Sequence, residues 1–514
     1  MWSACRWPKP GNCWRPTGSR PPWAAWMSEQ ILINMTGSET RVAIVADNAL
    51  RAVEIERTGS PSLVGNIYLG KVVRVLPGMA AAFIDLGIDS TGFLAARDAT
   101  PATGGRRDSA PGNIDQHLYP GQKIIVQVTR DAMDGKGPTL TMALTLSSHY
   151  LLFRPGGKGV NLSRRINEDE ERQRLRQLVA EALAAMGAAG AGGLIVRTAA
   201  SGAPDEDIRA DLHRLLQWRA DLAAKAVGPA PKCLYTAPPL ALRAVRDYAG
   251  PATDCIRIDD PQGLAAVRDY CVATMPALQP RLQYYDDACP LFECFGIERA
   301  LQSALQREVP LPSGGCIAID QTEAMTTIDV NTGAHTGQRD PDDTSLHTNT
   351  EAASVLAHEL RLRNLGGIII VDFINMQKPG HRRLLQQRLR EAMAADPAEH
   401  RITGMSGQGL VTITRTRNRD SLAHILCEDC PACAGRGRVK SAETVSLEII
   451  RALLGKARRP GKEGLEVRAA AAVVDRLQAE ETASITELSE LLGRPITFRV
   501  QPGYRQEQFD IVVF

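Results

Sequence analysis

The C-terminal half of the sequence contains three oxygen-bearing side chains whose types and spacing suit metal-assisted chemistry. In TTIDVNTG, Asp329 and Asn331 stand two residues apart on a predicted strand, so both side chains leave the same face. Asp372 ends the apolar run of GGIIIVDFINM, where a buried carboxylate is unfavourable unless its charge is compensated. Strands that flank a crossover helix can lie side by side, which would bring the three side chains together at the strand ends. Their hard oxygen atoms suit Mg²⁺ or Mn²⁺. Such an ion can activate a water molecule to attack a phosphodiester. Alternatively, each aspartate caps a turn or pairs with one of the nearby arginines.

A second candidate metal site is the cysteine cluster CEDCPACAGRG, which contains Cys427, Cys430 and Cys433. Cys-Pro-x-Cys before glycine-rich sequence is typical of half a tetrahedral zinc site, because the tight turn directs both sulfurs at one ion. Two completions are open: His424 and Cys427 complete the site locally, or a second subunit supplies two further thiolates and zinc becomes a clasp between protomers. A redox role would need a thioredoxin-like setting, which the sequence does not indicate.

Two phenylalanines in a glycine-punctuated segment are candidates for binding unpaired bases. Phe83 lies in AAFIDLG and Phe93 in TGFL, on predicted strands, with Lys71, Arg74 and Lys136 close enough in sequence to meet phosphates. Exposed aromatic rings stack single-stranded bases, and basic side chains hold the backbone. The alternative is that both rings belong to a hydrophobic core.

Arg197 and Thr198 end the strand-like sequence GGLIVRT. A guanidinium fork beside a hydroxyl is well suited to a terminal phosphate. Arginines at strand ends are also common on ordinary protein surfaces, which is the alternative.

The elements that would position these residues can be predicted from apolar periodicity, glycines and turn residues. Residues 64–94 alternate β-branched runs with Gly70, Gly78, Gly87 and Gly92, a pattern typical of a small, tightly curved barrel. The other predicted elements are strands at 31–34 and 41–57 with a turn at 47–48, a strand pair around 135–137, a surface loop at 99–116, a helix at 167–186 capped by Asn167, strands within 316–329, a helix at 349–365, a buried strand at 366–373 and a small α/β region after 440.

Composition limits the class of protein. The chain has 514 residues, enough for several domains, and its net charge of +2 is too small to argue for a nucleic-acid partner, since local basic clusters attract phosphate. No run reaches the roughly 20 apolar residues of a membrane span. Residues 1–26 are rich in Trp, Pro and Arg and lack the apolar run of an export signal. We therefore expect a cytoplasmic protein without membrane contact, and exclude residues 1–26 from the fold as a non-native or disordered extension.

Taken together, these motifs resemble the ribonuclease E/G family from about residue 31 to the C-terminus. The most specific stretches, in the family's order and spacing, are AAFIDLGIDSTGFL, GGLIVRTA, TTIDVNTG, HTNTEAASVLAHELRLRNLGGIIIVDFINM and CPACAGRG. The resemblance implies a multidomain α/β (α+β) fold with these parts: RNase H-like segments at 27–62 and 243–304, an S1-type OB barrel that binds RNA at 63–146, a 5′-sensor region at 147–242, a DNase I-like catalytic part at 305–424, a zinc link at 425–440 and a small C-terminal α/β domain at 441–514.

The resemblance also implies roles for individual residues. Asp329 and Asp372 would bind Mg²⁺, and Asn331 would support the site. Cys430 and Cys433 would each give a thiolate to a Zn²⁺ shared across a dimer. The remaining implied roles are single-stranded RNA binding by Phe83, Phe93 and Lys136, and 5′-monophosphate binding by Arg197 and Thr198.

The activity implied by the resemblance is Mg²⁺-dependent endonucleolytic hydrolysis of single-stranded RNA, stimulated by a 5′-monophosphate and leaving 5′-phosphate and 3′-hydroxyl ends. The sequence ends soon after the small domain, without a long disordered tail, which favours the ribonuclease G branch and roles in rRNA 5′-end maturation and mRNA decay. A homodimer or tetramer is expected. The alternatives are a non-catalytic RNA-binding protein and a DNase, which the RNA-type barrel disfavours.

Several positions depart from the usual family pattern. Asn375 in DFINM stands where many relatives carry Asp, and His335 stands where an aromatic residue is common. Gln408 and Thr412 in MSGQGLVTITR replace an apolar residue and a Glu. None is an expected metal ligand, so we expect activity to survive with weaker electrostatics near Asp372.

Overall fold

The computed structural model describes residues 29–47, 49–99, 114–132, 136–188, 190–333, 340–417, 419–456 and 463–513. The chain divides into two compact units, Met1–Ile425 and Leu426–Phe514. The predictions for residues 1–26, for most of the loop at 99–116, and for Asn48, Gly135 and His335 lie outside the described residues. Among the described residues, no helix has both the length and the apolar character needed to cross a membrane.

The first unit contains these strands: β1 (Glu29–Met35), β2 (Glu39–Ala46), β3 (Ala49–Arg57), β4 (Ile67–Leu76), β5 (Ala81–Asp85), β6 (Gly92–Ala95), β7 (Lys123–Arg130), β8 (Thr139–Thr141), β9 (Leu146–Ser147), β10 (Leu151–Arg154), β11 (Val160–Leu162), β12 (Gly193–Val196), β13 (Lys232–Tyr235), β14 (Thr253–Ile258), β15 (Leu282–Tyr284), β16 (Glu308–Pro310), β17 (Cys316–Gln321), β18 (Met325–Asn331), β19 (Gly367–Asp372), β20 (His400–Ile402) and β21 (Leu410–Arg415). Its helices are α1 (Asp169–Ala185), α2 (Asp205–Lys225), α3 (Leu240–Tyr248), α4 (Pro261–Thr274), α5 (Leu291–Cys294), α6 (Ile297–Ala304), α7 (Pro341–Leu362), α8 (Pro379–Met393) and α9 (Leu422–Leu426), the last of which ends at the boundary with the second unit.

Five strands form a first sheet in the order β15-β14-β1-β2-β3. It joins two distant parts of the sequence, because β1 pairs in parallel with β14 and Ile31 lies opposite Ile256. The left-handed φ of 53° at Asp47 suits the tight turn between β2 and β3. The predicted strands at 31–34 and 41–57 are confirmed.

Strands β4, β5, β6, β8 and β7 form a closed barrel, because β7 pairs with both β8 and β4. Glycine is required at Gly92, where an added Cβ would lie 2.4 Å from a side-chain carbon of Leu140. It is also required at Gly70, where a Cβ would lie 2.5 Å from Ile84. At Gly78 no described atom lies within 4 Å of such a Cβ, so packing does not explain this glycine. The prediction of a tightly curved barrel is confirmed.

A small sheet in the order β11-β12-β10-β9 packs with α1 and α2 and ends at the candidate phosphate residues. Helix α1 confirms the predicted helix at 167–186, but Asn167 as its cap is wrong. The N-cap is Glu168, and its side chain makes no capping hydrogen bond. Acidic residues fill the first turn instead, where they stabilise the positive end of the helix dipole.

A six-stranded sheet in the order β16-β17-β18-β19-β21-β20 carries the candidate metal residues. Strands β18 and β19 are parallel and are joined by α7. Helices α7 and α8 cover one face, and Ile328, Leu356, Val371 and Leu385 belong to the core beneath them. Burial alternates along β18, as expected for a sheet with one covered face.

Two sequence predictions for this region need correction. The helix predicted from residue 349 begins at Pro341, because Asp340 caps it by accepting from Asp342 N at 3.0 Å and proline is favourable at the first position. The strand predicted as buried at 366–373 is only partly buried, and Ile368 is 46% exposed, because none of the described helices covers that face of the sheet.

The second unit confirms the predicted small α/β region. Its elements are α10 (Ala442–Lys456), β22 (Leu465–Ala469), α11 (Ala471–Ala479), α12 (Thr482–Leu492), β23 (Ile496–Val500) and β24 (Phe509–Val513). The strands form a sheet in the order β23-β22-β24, with β23 parallel and β24 antiparallel to β22. Its core joins α10, α11 and α12 to one face of this sheet.

Candidate active site

Asp329, Asn331 and Asp372 meet at the ends of two neighbouring parallel strands. The register places Asp329 of β18 directly opposite Asp372 of β19. Asp329 and Asn331 are both exposed on the same face of β18, and Asn331 Nδ2 donates to Asp329 Oδ2 at 2.8 Å. Two carboxylates therefore stand side by side, and an amide fixes the orientation of one of them. We call Asp329 and Asp372 the strand-end pair.

Asp372 of the strand-end pair is exposed rather than buried. The apolar run predicts a buried position for Asp372, but its side chain is exposed, because it lies on the uncovered face of the sheet. Water therefore solvates its charge. Among the described residues at this sheet, the exposed guanidinium of Arg307 pairs with Asp320 rather than with Asp329. Asp329 also lies within a strand rather than a turn, so the geometry does not favour the capping alternative for it.

The thiol of Cys316 lies next to this site without adding a nucleophile to it. Cys316 is the register partner of Asn331. Burial, and then the charges of Glu308 and Asp329, raise the pKa of the Cys316 thiol. A protonated thiol is a poor nucleophile and metal ligand, so the chemistry available here is that of oxygen ligands.

A polar cluster that the sequence analysis missed ties the start of α7 to the loop that follows β19. Asp342 accepts from the backbone N–H groups of Gln377 at 2.7 Å and Lys378 at 3.3 Å, and lies 2.9 Å from His381 Nδ1. The Gln377 hydrogen bond is the largest cause that lowers the pKa of Asp342. Lys378 Nζ also bonds Asp340 Oδ2 at 2.5 Å. The run Asp-Pro-Asp-Asp could have indicated this helix start.

The neutral substitutions noted in the sequence lie around Asp372. Asn375 is exposed in the loop three residues after it, and its Oδ1 would be 3.1 Å from a Cβ at Gly409. Gln408 is exposed in the same loop as Gly409. Thr412 lies on β21, two positions from the register partner of Asp372. The expected weakening of the local field by these residues stays a prediction.

Phe83 and Phe93 lie side by side on the barrel surface. They are register partners on β5 and β6, and their rings meet edge to face with centroids 6.0 Å apart. Arg74 lies 5.8 Å from the Phe83 ring centroid. Both rings are half-buried and neither belongs to the barrel core, so the core alternative is wrong. Lys136 is exposed three residues before Thr139, the register partner of Phe93.

Arg197 is held by groups that the sequence analysis missed. Its Nη1 donates to the Ser148 carbonyl at 2.6 Å, and its Nη2 lies 3.0 Å from Asp247 Oδ1. Burial would raise the pKa of Asp247, but the hydrogen bonds and charges of Arg246 and Arg197 lower it. Asp247 therefore stays ionised between two guanidinium groups, and this cluster keeps a net positive charge. Nothing in the local sequence around Arg197 indicates these partners.

Thr198 immediately follows the held arginine and faces a second hydroxyl. Its Oγ1 lies 3.0 Å from Ser163 Oγ, which is 35 residues away in sequence. Thr198 also opens a short 3₁₀ turn after β12. Two hydroxyls therefore lie side by side, one of them directly after the held arginine in the chain, and hydroxyl and guanidinium groups both suit a phosphate.

The three cysteines lie in tight turns at the start of the second unit. Cys427 and Cys430 are exposed, whereas Cys433 is buried. The backbone N–H groups of Cys433 and Ala432, and then the Cys433 thiol, lower the pKa of Cys430. Gly437 N donates to Cys433 Sγ at 3.3 Å. N–H donors directed at sulfur favour thiolates, which are the form that binds zinc.

Comparison with known proteins shows which family the chain belongs to. The family model described as "Ribonuclease E/G family" matches residues 145–418, more than half of the chain. The chain belongs to the ribonuclease E/G family. A second model, described as "RNase E/G, Thioredoxin-like domain", matches residues 429–513.

The curated relatives of this ribonuclease E/G family chain include ribonuclease G proteins and ribonuclease E proteins. Ribonuclease G of Salmonella typhimurium and ribonuclease G of Escherichia coli K12 are each 41% identical over 95% of this chain and 100% of their own length. Ribonuclease E of Haemophilus influenzae is 36% identical over 90% of this chain and 49% of its own length. The resemblance found in the sequence, including its closeness to ribonuclease G, is confirmed.

Family membership corrects one inference about the cysteines. The sequence indicates no thioredoxin-like setting, yet residues 429–513 match a family domain described as thioredoxin-like. In the structure, Cys430 and Cys433 precede both α10 and β22 of that unit. The cysteine pair therefore lies outside the βαβ pattern in which a redox Cys-x-x-Cys is found.

Proposed function

We propose that this protein is an endoribonuclease that hydrolyses single-stranded RNA at the strand-end pair. The observation that carries the proposal is the register that sets Asp329 opposite Asp372 on exposed, parallel strand ends, with Asn331 bonded to Asp329. Full-length similarity to proteins named ribonuclease G supports RNA as the substrate. Its proposed cellular substrates are rRNA precursors and mRNA.

The side chains at this position fit a magnesium site. In the described residues no three His, Cys, Asp or Glu side chains come together in a metal-binding group. The strand-end pair would therefore hold the ion with two carboxylates, and water oxygens would complete the shell, as Mg²⁺ prefers. Asn331 would keep Asp329 oriented. When bound, Mg²⁺ lowers the pKa of a coordinated water and offsets charge on the phosphate, which favours hydrolysis to 5′-phosphate and 3′-hydroxyl ends.

A cleavage assay separates this function from its rivals. The substrate is a 5′-monophosphorylated, AU-rich single-stranded RNA, compared with a circular RNA and a DNA of the same sequence. We expect both RNAs to be cut and the DNA to remain intact, since a circle can be opened only by an endonuclease. RNA binding without cleavage would support the non-catalytic alternative, and equal cutting of DNA would support a DNase.

The ring pair Phe83 and Phe93, with Lys136 nearby, is the proposed binding surface for unpaired bases. The two half-exposed rings and the neighbouring Arg74 combine stacking surfaces with positive charge. This surface belongs to the closed barrel, whereas the strand-end pair belongs to the six-stranded sheet. Binding on the barrel would therefore raise the local concentration of RNA without taking part in hydrolysis.

Replacing both rings should weaken RNA binding. Phe83→Ala combined with Phe93→Ala is expected to raise KM for AU-rich RNA roughly 30-fold or more, because each of the two stacked bases contributes about 1–3 kcal/mol. The expected change in kcat is smaller, since neither ring is part of the strand-end pair. Tyr119→Ala, which removes another exposed aromatic side chain before β7, is the matched control. An unchanged KM in the double variant, with a normal melting temperature, would remove the base-binding role.

Arg197 and Thr198 are the proposed site for a 5′-monophosphate. Asp247 orients Arg197 and also pairs with Arg246, so two guanidinium groups share one carboxylate and the cluster stays positive. A phosphate would therefore meet a preorganised guanidinium. Thr198 and Ser163 add hydroxyl groups at the same strand end. A bound 5′-phosphate would tether the RNA and speed cleavage.

Removing this arginine should affect one class of substrate. Arg197→Ala is expected to shrink the rate advantage of 5′-monophosphate over 5′-hydroxyl RNA by roughly tenfold, with the 5′-hydroxyl rate unchanged, because a charge-assisted contact is lost only where the phosphate exists. Rates on the two substrates, measured side by side, give this ratio. Arg219→Ala, at an exposed position on α2, is the control. A ratio equal to that of the parent would exclude the phosphate role of Arg197.

We also propose that Cys430 and Cys433 bind a structural Zn²⁺ shared between two subunits of a homodimer, which could further associate to a tetramer. The lowered pKa of Cys430 and the backbone N–H group that donates to Cys433 Sγ support zinc coordination by these two sulfurs. His424 belongs to the first unit and Cys427 to the second, and the local completion by these two residues stays open.

A further inference from the structure

We infer that the guanidinium of Arg307, oriented by Asp320, binds a backbone phosphate of the RNA beside the bond that is cleaved at the strand-end pair. The ligand is a negatively charged internucleotide linkage of single-stranded RNA. This inference rests on the proposed function and adds a phosphate-binding side chain to it.

Arg307 stands at the edge of the six-stranded sheet, immediately before β16. Its carbonyl accepts from Ile319 N at 2.9 Å, which aligns it beside β17. Its Nε and Nη2 donate to the two carboxylate oxygens of Asp320 at 2.6 and 2.7 Å, a bidentate geometry that fixes the plane of the guanidinium. Nη1 lies 3.8 Å from Glu308, beyond hydrogen-bond distance. Within the described residues, this end of the fork therefore keeps donors for a ligand.

The sheet register places this fork near the strand-end pair. Asp320, which holds the guanidinium, lies opposite Thr327, two residues before Asp329 on the same face of β18. Glu308, next to Arg307 in the chain, lies opposite Ala318, and Ala318 lies opposite Asp329. Neighbouring strands are about 4.8 Å apart, so β16 lies about 10 Å from β18. The pKa of Arg307 is raised mainly by its hydrogen bonds to Asp320, and then by the charges of Glu308 and Asp329. The guanidinium is therefore close enough to Asp329 to feel its charge.

The Arg307–Asp320 ion pair contributes little to the stability of the fold. The Arg307 side chain is 60% exposed and that of Asp320 is 47% exposed, and pairs as exposed as this contribute little to folding. The charge at the site gives a better reason for this ion pair. Asp320, Glu308 and the strand-end pair are all negative, and a phosphate brought among them needs fixed positive charge. A guanidinium held in one plane supplies that charge without having to reorganise.

Three substitutions test this role through RNA cleavage by the full-length chain. Arg307→Ala is expected to lower kcat/KM roughly 30-fold, because a charge-assisted phosphate contact is lost. The kcat/KM of Arg307→Lys should lie between those of Arg307→Ala and the parent, since lysine keeps the positive charge but lacks the planar, bidentate guanidinium. Asp320→Asn should lower kcat/KM less than Arg307→Ala does, because it leaves Arg307 in place and removes only the carboxylate that orients it. Equal losses for Arg307→Ala and Asp320→Asn would mean that the ion pair is structural, and would overturn the inference.

A substrate with one neutral linkage identifies the phosphate. RNAs that carry a single methylphosphonate, moved along the linkages around the cleaved bond, are cut by the parent and by Arg307→Ala. At one linkage beside the cleaved bond, we expect the methylphosphonate to slow the parent roughly tenfold and the variant hardly at all. If every linkage slows both proteins equally, Arg307 does not bind phosphate.

The control variant is Arg388→Ala, which removes an arginine of similar exposure, 57%, paired with Glu391 on α8. It should cleave at the parental rate. A parent protein that leaves unmodified RNA intact would contradict the proposed function itself. A parent that cuts, together with Arg307→Ala that cuts equally fast, would contradict only the role of Arg307.

Discussion

Asp329→Asn and Asp372→Asn are each expected to lower the single-turnover rate of RNA cleavage roughly 10³-fold in the presence of Mg²⁺. Asparagine keeps the shape of the side chain and removes the charge that would hold the metal ion. Both carboxylates are exposed on the uncovered sheet face, so neither substitution should disturb the core. The double variant should be about as slow as the slower single variant, because the two groups act as one unit.

The control for this pair of substitutions is Asp269→Asn, at an exposed position on α4, which should leave the rate unchanged. Melting temperatures should match the parent in all three single variants. Rescue by raised Mg²⁺ or Mn²⁺ would be expected for a weakened metal site rather than for a misfolded one. If Asp329→Asn and Asp372→Asn proteins cut as fast as the parent, the strand-end pair is not the catalytic centre.

Cys430→Ser combined with Cys433→Ser is expected to abolish zinc binding and to lower the subunit count. Thiolate coordination of structural zinc is worth on the order of 10 kcal/mol, which is large compared with the stability of a small interface. The measurements are zinc content per chain and molar mass by light scattering. The chain carries a free, exposed thiol elsewhere, at Cys233, and Cys233→Ser is the matched control.

Cys427→Ser distinguishes the two ways of completing the zinc site. If two subunits each supply Cys430 and Cys433, this single variant should keep both its zinc and its mass. If Cys427 is a ligand within one chain, zinc should be lost while the subunit count need not fall. If the Cys430→Ser, Cys433→Ser protein keeps both the zinc content and the molar mass of the parent, these cysteines do not bind a zinc ion shared between subunits.

The strand-end pair could be predicted from sequence because its geometry follows from local rules. Alternation on β18 fixes the common face of Asp329 and Asn331. The helix between the two apolar strands makes them parallel neighbours, which brings Asp372 to the same edge. The exposure of Asp372 could not be predicted in this way, because an apolar run does not show that one face of a sheet lacks a covering helix.

The partner of Arg197 could not be predicted, because it comes from a distant part of the chain. Asp247 reaches Arg197 from α3, 50 residues further along the chain. No spacing rule connects these two positions, and only tertiary packing brings them together. The start of α7 is a different case, since Asp340 followed by Pro341 is a sequence pattern that predicts a helix N-terminus.

The most direct test of the central claim, hydrolysis of RNA at a metal site on the strand-end pair, is cleavage of a 5′-monophosphorylated single-stranded RNA with and without EDTA. We expect cutting in Mg²⁺, complete loss of cutting when EDTA removes free divalent ions, and recovery when Mg²⁺ is restored in excess. Products should carry 5′-phosphate and 3′-hydroxyl ends. Cutting that continues at the same rate in EDTA, by a protein free of divalent metal, would contradict this claim.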